Sequence, residues 1–221
     1  MTNVLIIGAT SRIASIVADQ IKDEDDINLA LVVRNIQKLP KSLTTQNISV
    51  ADATDSTMMA KIIKNQDIVY VSLNGDVISS AKTIVNAMKN TKSKRLIWTS
   101  SLGIYNEVPG EFGKLNNRAL PQYLKTYRQA ADIIENSNLD YTVIRPAWLV
   151  DVDEVSYETT HKPEPFKGTE VSRASVADYV KNTILHPEVD VRESVGIDKP
   201  GTDGNRPRKF VMEYNGFDPN M

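Results

Sequence analysis

The chain has 221 residues, with 26 basic and 28 acidic side chains and a net charge of −2. That is the length of one domain, 1–221, able to bury a sizeable core without metal or disulfide help. There is no cysteine, which excludes disulfides, thiol nucleophiles and cysteine metal sites and fits a reducing compartment. The near-balanced charge offers no general attraction to nucleic acid or anionic membrane, no apolar run is long enough to span a bilayer, and the first residues do not read as a secretion signal, so a cytoplasmic protein is expected.

The first element is an apolar run from Asn3 to Gly8, followed by a glycine turn and a helical pattern in which Ile13, Val17 and Ile21 recur at four-residue spacing. This reads as a phosphate-binding strand–turn–helix. Gly8 permits the sharp turn. Ser11 and Ala14 stand where the usual fingerprint has its second and third glycines, and both are small enough for a pyrophosphate to approach. Gly8, Thr10, Ser11, Arg12 and Ile13 are the expected contact residues, with the free N–H groups of the helix start facing the anion. The acidic run Asp23-Glu24-Asp25-Asp26 reads as a solvated turn.

Further short runs rich in Val, Ile and Leu follow at Asn28 to Val33, Ile48 to Ala51, Ile68 to Ser72, Arg95 to Ser100 and Tyr141 to Arg145. Strands buried on both faces of a parallel sheet have this composition. Helices are expected near Val77 to Lys89 and from about Leu120 to Asn136, where Leu120, Leu124, Tyr127, Ala131 and Ile134 form one apolar face and Pro121 suits the first turn. The alternation predicts an α/β fold of Rossmann type, a doubly wound parallel sheet with right-handed crossovers and a small C-terminal substrate-side region.

After Pro146 the texture changes, and residues 147–221 are expected to supply a lid and a tail. Asp151 to Gly168 reads as a long polar loop covering the substrate. Ser175-Val176-Ala177-Asp178 resembles a capping box leading a helix to about Leu185, and Ser194 to Ile197 a final strand. Phe210, Val211, Met212, Tyr214 and Phe217 follow a basic Arg206-Pro207-Arg208-Lys209. Such a tail docks on its own domain or on a second copy, giving a homodimer.

Several residues at strand ends carry chemistry. Arg34 closes the second strand, where dinucleotide folds usually place a carboxylate on the ribose hydroxyls. A guanidinium there suits a 2′-phosphate and favours NADP over NAD, with Lys38 one turn later adding charge; otherwise it is a surface arginine. Asp52, with Ala53 beside it, is placed to accept from an adenine amino group or to serve as a turn residue. Asn74 and Gly75 suit a ribose or phosphate contact, or a plain βα turn.

The motifs Gly8-Ala9-Thr10-Ser11-Arg12-Ile13-Ala14, Val33-Arg34-Asn35, Ala51-Asp52-Ala53-Thr54, Thr99-Ser100-Ser101-Leu102-Gly103-Ile104-Tyr105 and Leu139-Asp140-Tyr141-Thr142-Val143-Ile144-Arg145-Pro146 span about two thirds of the chain. Together they resemble the atypical short-chain dehydrogenase/reductase superfamily, in particular its NmrA-like and biliverdin/flavin-reductase-like NAD(P)H-binding proteins. The resemblance implies that Ser100 and Ser101 sit beside the nicotinamide, with Ser101 polarising a substrate carbonyl. It implies that Pro146 and Ala147 contact the carboxamide through backbone, with Trp148 walling the cleft or lying in the core.

The superfamily's catalytic pair is a Tyr followed four residues later by a Lys on the long helix. By register Arg128 falls at the Lys position, able to hold the ribose, and Leu124 at the Tyr position. Tyr127 remains a catalytic candidate, although it lies on the apolar stripe. The resemblance therefore implies an NADP-dependent oxidoreductase that passes hydride to a small acceptor such as a quinone, flavin or enone, with water as proton source. The alternatives are an NADP(H)-sensing protein with a regulatory protein partner and, third, a nucleotide-sugar epimerase or dehydratase. His161 reads as a loop histidine or a lid proton donor, His186 carries no assigned role, and no metal site is expected.

Overall fold

The short apolar runs become strands because β-branched and aliphatic side chains fill both faces of a buried sheet. In the computed structural model, which describes residues 1–89, 91 and 94–207, the strands are β1 (Thr2–Ile7), β2 (Ile27–Val33), β3 (Asn47–Val50), β4 (Ile68–Val71), β5 (Arg95–Thr99), β6 (Asp140–Pro146), β7 (Trp148–Val150), β8 (Glu158–His161), β9 (Glu170–Ser172) and β10 (Glu193–Asp198). The helices are α1 (Arg12–Ile21), α2 (Ser56–Ile63), α3 (Val77–Lys89), α4 (Gly110–Ala119), α5 (Pro121–Glu135) and α6 (Arg173–Leu185).

Eight strands form one sheet in the order β3-β2-β1-β4-β5-β6-β10-β8. All pairings are parallel except β10 with β8. Alternate side chains of β1 feed two cores. Val4 and Ile6 pack with Ile13, Val17, Val176 and Val180 of α1 and α6. Leu5 and Ile7 pack with Met59, Ile84, Ala131 and Ile134 of α2, α3 and α5. Each of these side chains larger than alanine contributes about 1.5–3 kcal/mol on leaving water, so both helical layers are held to the sheet. The strand order reverses between β1 and β4, and in such sheets ligands bind beyond the carboxyl ends of the strands at that point. The fold is the doubly wound α/β fold of Rossmann type.

Several local features differ from expectation, among them a second, two-stranded parallel sheet of β7 and β9. Helix α2 has only eight residues, too few for a clear periodic pattern, and rests on Asp55, whose Oδ1 accepts from the N–H groups of Thr57 and Met58 at 3.0 Å. Helix α4 carries Gly110 and Gly113, poor helix formers. A Cβ at Gly113 would lie 2.0 Å from the Val108 carbonyl oxygen, so this glycine lets the helix pack on backbone. The cap of α6 is Ser172, whose Oγ accepts from Ser175 N at 2.9 Å, and not Ser175 as the capping-box reading had it.

The expected loop Asp151 to Gly168 contains β8, whose ladder partner β10 supplies the backbone hydrogen bonds that a polar edge strand needs. Tyr157, in the same segment, packs edge-on to Tyr179 of α6. The apolar tail from Phe210 to Phe217 lies outside the described residues. Among the described residues no helix is long and apolar enough to cross a membrane, and no group of three or more His, Asp or Glu is arranged to hold a metal.

Candidate functional site

The turn after β1 is built around Gly8, which has φ +84°; a Cβ there would lie 2.2 Å from the Ser72 carbonyl oxygen and 2.8 Å from Leu73 Cδ2. A larger residue would push β1 away from the end of β4. Ser11 caps α1: its Oγ accepts from Ala14 N at 3.2 Å and donates to Ser72 Oγ at 2.8 Å. The first-turn N–H groups of Arg12 and Ile13 have no acceptor inside the helix, and Thr10 precedes them half-buried. Arg12 turns its guanidinium to Asp151 Oδ2 at 2.6 Å, while Asp151 Oδ1 takes Arg173 at 2.6 Å. One carboxylate thus links the first turn, the segment after β7 and the start of α6.

Arg34 stands exposed at the end of β2 with no hydrogen bond or ion pair among the described residues. Asp52 lies nearby after β3. Its Oδ1 accepts from Thr54 N at 2.9 Å and Thr54 Oγ1 at 2.7 Å. Those bonds, more than the field of Arg34, hold its carboxyl below the usual carboxylate range. Asp52 is therefore a turn residue in this structure, with its second oxygen not committed to Thr54. Ala53 is buried beside it. After β4, Asn74 and Gly75 are exposed; Gly75 has φ +98° and nothing within 4 Å of a Cβ position, so this turn is open.

At the end of β5, Ser100 and Ser101 are both 6% exposed. Ser101 donates to the Leu102 carbonyl at 3.1 Å, whereas the buried Oγ of Ser100 has no hydrogen-bond partner among the described residues. At the end of β6 the Pro146 carbonyl accepts from Leu102 N at 3.2 Å and Ala147 N donates to Ile197 O at 2.9 Å. Proline has no N–H and that of Ala147 is used, so any contact these two make with a carboxamide is as carbonyl acceptors. Trp148 is half-buried; its Nε1 donates to Asn116 Oδ1 at 3.0 Å and its ring meets Phe112 edge-on at 6.3 Å.

Helix α5 corrects the register read from sequence. Tyr127, not Arg128, faces the end of β4: its hydroxyl lies 2.8 Å from the Leu73 carbonyl and 3.0 Å from Asn74 Oδ1. Tyr123, four residues earlier, stacks on Tyr127 with ring centroids 4.0 Å apart. The helix edge at this turn carries a Tyr–Tyr pair at four-residue spacing in place of Leu124 and Arg128. Arg128 points to the β5–α4 loop. Its Nε donates to Asp132 at 2.7 Å, its Nη1 reaches the Ile104 carbonyl at 3.5 Å and its guanidinium lies 4.8 Å from the Tyr105 ring centre. It lines a cavity of about 400 Å³ with Gly103 to Asn106, Asn117, Pro121, Leu124 and Lys125.

The β5–α4 loop is held by groups that sequence reasoning passed over. Arg145, fully buried on β6, donates to Glu107 Oε1 at 2.6 Å, to Ser194 Oγ at 3.0 Å and to Ser194 O at 3.1 Å. Glu107 accepts in turn from Gly103 N and Tyr105 N, each at 2.9 Å. Burial first, and then its bond to Glu135, push the Tyr105 hydroxyl far up from its ordinary value. Asn116 and Phe112 belong to α4, whose only sequence signal was the spacing Phe112, Leu115, Asn116, Ala119. His161 is on β8, with Nε2 2.8 Å from Asp190 Oδ1, beside the residues that lead into β10. It is thus at the amino end of the sheet and not on a lid over the crevice. His186 ends α6 in the open.

Among the described residues, the strand ends thus offer free first-turn N–H groups, an open glycine turn, an unpartnered buried hydroxyl and an unpaired guanidinium. These fit the phosphates, ribose and polar ring substituents of a dinucleotide. Comparison with known proteins agrees. The family described as NAD(P)H-binding matches residues 8–187. A Rossmann-fold NAD(P)-binding family protein from Shigella flexneri is 42% identical, with TM-score 0.81 over 94% of this chain and 98% of that one. A wide-type short-chain dehydrogenase/reductase from Veillonella parvula, solved in complex with NADP, is 25% identical, with TM-score 0.86 over 94% and 99% of the two chains. The UPF0659 protein YMR090W of Saccharomyces cerevisiae is 24% identical, covering 95% of this chain and 97% of its own length.

Proposed function

The chain belongs to the NAD(P)H-binding family, and from that premise we propose that it is an NADP-dependent oxidoreductase of the atypical short-chain type, reducing a small planar acceptor such as a quinone, flavin or enone. The observation that carries NADP is the unpaired guanidinium of Arg34 at the end of β2. A guanidinium fork gives a phosphate two charge-assisted hydrogen bonds, whereas a carboxylate at that place would repel it. The neighbour from Veillonella parvula in complex with NADP supports the same choice.

In this reading the N–H groups of Arg12 and Ile13, at the positive end of α1, take the pyrophosphate. Gly8 and Thr10 leave it room, and Arg12 has its side chain within reach once it leaves Asp151. Asp52 and Ala53 border the adenine, and Asn74 and Gly75 a ribose. The orphan hydroxyl of Ser100 and the carbonyls of Pro146 and Ala147 receive the nicotinamide end. The bound cofactor supplies the hydride. Ser101 turns its hydroxyl from Leu102 to the acceptor carbonyl, acting as a hydrogen-bond donor. Tyr127 positions the β4 turn, and Tyr123 brings the one exposed phenol of the pair to the same edge. Orientation provides much of the acceleration, and water completes the proton balance.

One observation favours a second reading. The α5 edge at the crevice carries no lysine to lower a phenol pKa, which suits a protein that senses NADP(H) and signals to a protein partner. One experiment separates the two: NADPH absorbance is followed across a panel of quinones, flavins and enones. The reductase reading predicts consumption with at least one class. Silence across the panel, together with different affinities for oxidised and reduced cofactor, establishes the sensor instead.

A further inference from the structure

The cavity between the β5–α4 loop and the start of α5 has a chemistry of its own. Its lining residues include two cations, Lys125 and Arg128, and no carboxylate, in a chain whose net charge is −2. Lys125 is exposed and has no acidic partner among the described residues. Arg128 is paired through Nε with Asp132 and reaches Ile104 O through Nη1. That uses two of the five N–H donors of a guanidinium. The Tyr105 ring centre lies 4.8 Å from its Cζ, a cation–π contact that restrains the guanidinium. Pro121 begins α5 at the cavity wall, so the positive end of that helix adds to the field. Ile104, Leu124 and Pro121 make the remaining wall apolar.

The hollow is shallow and wide open to solvent, with about 400 Å³ of space, so it suits one substituent and the ring that bears it rather than a wholly enclosed ligand. Its wall residue Gly103 is two residues past Ser101, and Leu124 directly follows Tyr123. The hollow is thus built on the same loop and helix that carry Ser101 and Tyr123.

We propose that this cavity binds the anionic substituent of an aromatic acceptor, a carboxylate or sulfonate held by Lys125 and Arg128 with its apolar body against Ile104 and Leu124. The word acceptor rests on the reductase reading above; the anion site does not. The two cations bind and orient the acceptor and take no part in proton transfer.

Two ligands of nearly equal shape test it: 1,4-naphthoquinone-2-sulfonate and neutral 2-methyl-1,4-naphthoquinone. Each is titrated by calorimetry into the full chain saturated with oxidised NADP. The sulfonate is expected to bind about five-fold tighter at low salt, the size of one or two partly exposed ion pairs. The preference shrinks in 0.5 M salt, falls part-way in Lys125→Gln and vanishes or reverses in Lys125→Glu. Thermal melting identifies any variant that has not folded. Equal affinities, no binding of either quinone, or a preference that survives Lys125→Glu would overturn the proposal. If NADPH reduces neither quinone nor any other acceptor, the reductase reading falls, while the calorimetric ratio still decides for or against the anion site.

Discussion

At the scale of single residues, Gly8 shapes the crevice by the side chain it lacks and Tyr127 by where its hydroxyl lands, on Leu73 O and Asn74. Gly8 reads from sequence as a turn glycine, and the Ser72 carbonyl 2.2 Å from its absent Cβ is the physical reason for it. Arg34 reads as a charge at a strand end because it directly follows an apolar run. Tyr127 is the opposite case. The apolar stripe of α5 was legible, but successive helical residues are about 100° apart, and the crossing angle of the helix on the sheet decides which edge of the stripe meets β4. Sequence therefore gave the crevice to Arg128, one position late. Arg145 was equally illegible, because its partner Glu107 is 38 residues away on a loop.

The hydroxyl of Tyr127 meets Leu73 O and Asn74, which makes it a positioning group. Tyr127→Phe should lower stability by about 1 kcal/mol through the lost hydrogen bond. It should weaken cofactor binding by roughly five-fold and leave kcat at saturating cofactor within about three-fold. A fall in kcat of about a hundred-fold at unchanged cofactor affinity would show instead that this phenol transfers a proton. Denaturant unfolding, calorimetry and steady-state rates supply the three readings.

At the scale of elements, the parallel strands of the central sheet were found to within a residue or so because each is a short apolar run between turn signals, whereas the small parallel pair β7 and β9 was not. Two of the exceptions share a cause. Helix α4 and strand β8 are polar segments whose stability comes from what they pack on, and a sequence window does not contain that partner. Strand β8 closes the sheet against β10, and the end of β10 carries Asp198, fully buried. Its Oδ2 accepts from Gly168 N at 2.9 Å, while Oδ1 has no partner among the described residues. Burial is the chief cause that lifts this carboxyl from 3.8 to about 6.

Between those two pH values the folded chain keeps a proton that the unfolded chain has released. Stability therefore falls as pH rises from about 4 to about 6, and the charged carboxylate remains a penalty of roughly 3 kcal/mol above that window. Asp198→Asn should flatten this stretch of the stability profile and be at least as stable as the parent at pH 7.5. Urea unfolding at pH 4, 5, 6 and 7.5 checks it. An unchanged profile, or a variant less stable at pH 7.5, would mean that the buried carboxylate is compensated.

At the scale of the whole molecule, the order of the central strands places the candidate groups other than Arg128 and His161 along one edge, from Arg34 at β2 through the α1 turn to Ser100 and Pro146. That arrangement follows from right-handed crossovers and the reversal between β1 and β4, and it is why motifs far apart in the chain could be read as one site. The side cavity could not be read in the same way, because Tyr105, Lys125 and Arg128 meet only after α4 and α5 have packed. On the proposed reading, an NADP-sized dinucleotide lies along this edge with its extra phosphate on Arg34.

Calorimetric titration of NADPH and NADH into the parent and Arg34→Ala tests that placement. Two charge-assisted hydrogen bonds predict a preference for NADPH of about ten- to a hundred-fold in the parent, falling to within about three-fold in the variant. No heat with either nucleotide, or a preference that the variant keeps, would contradict it.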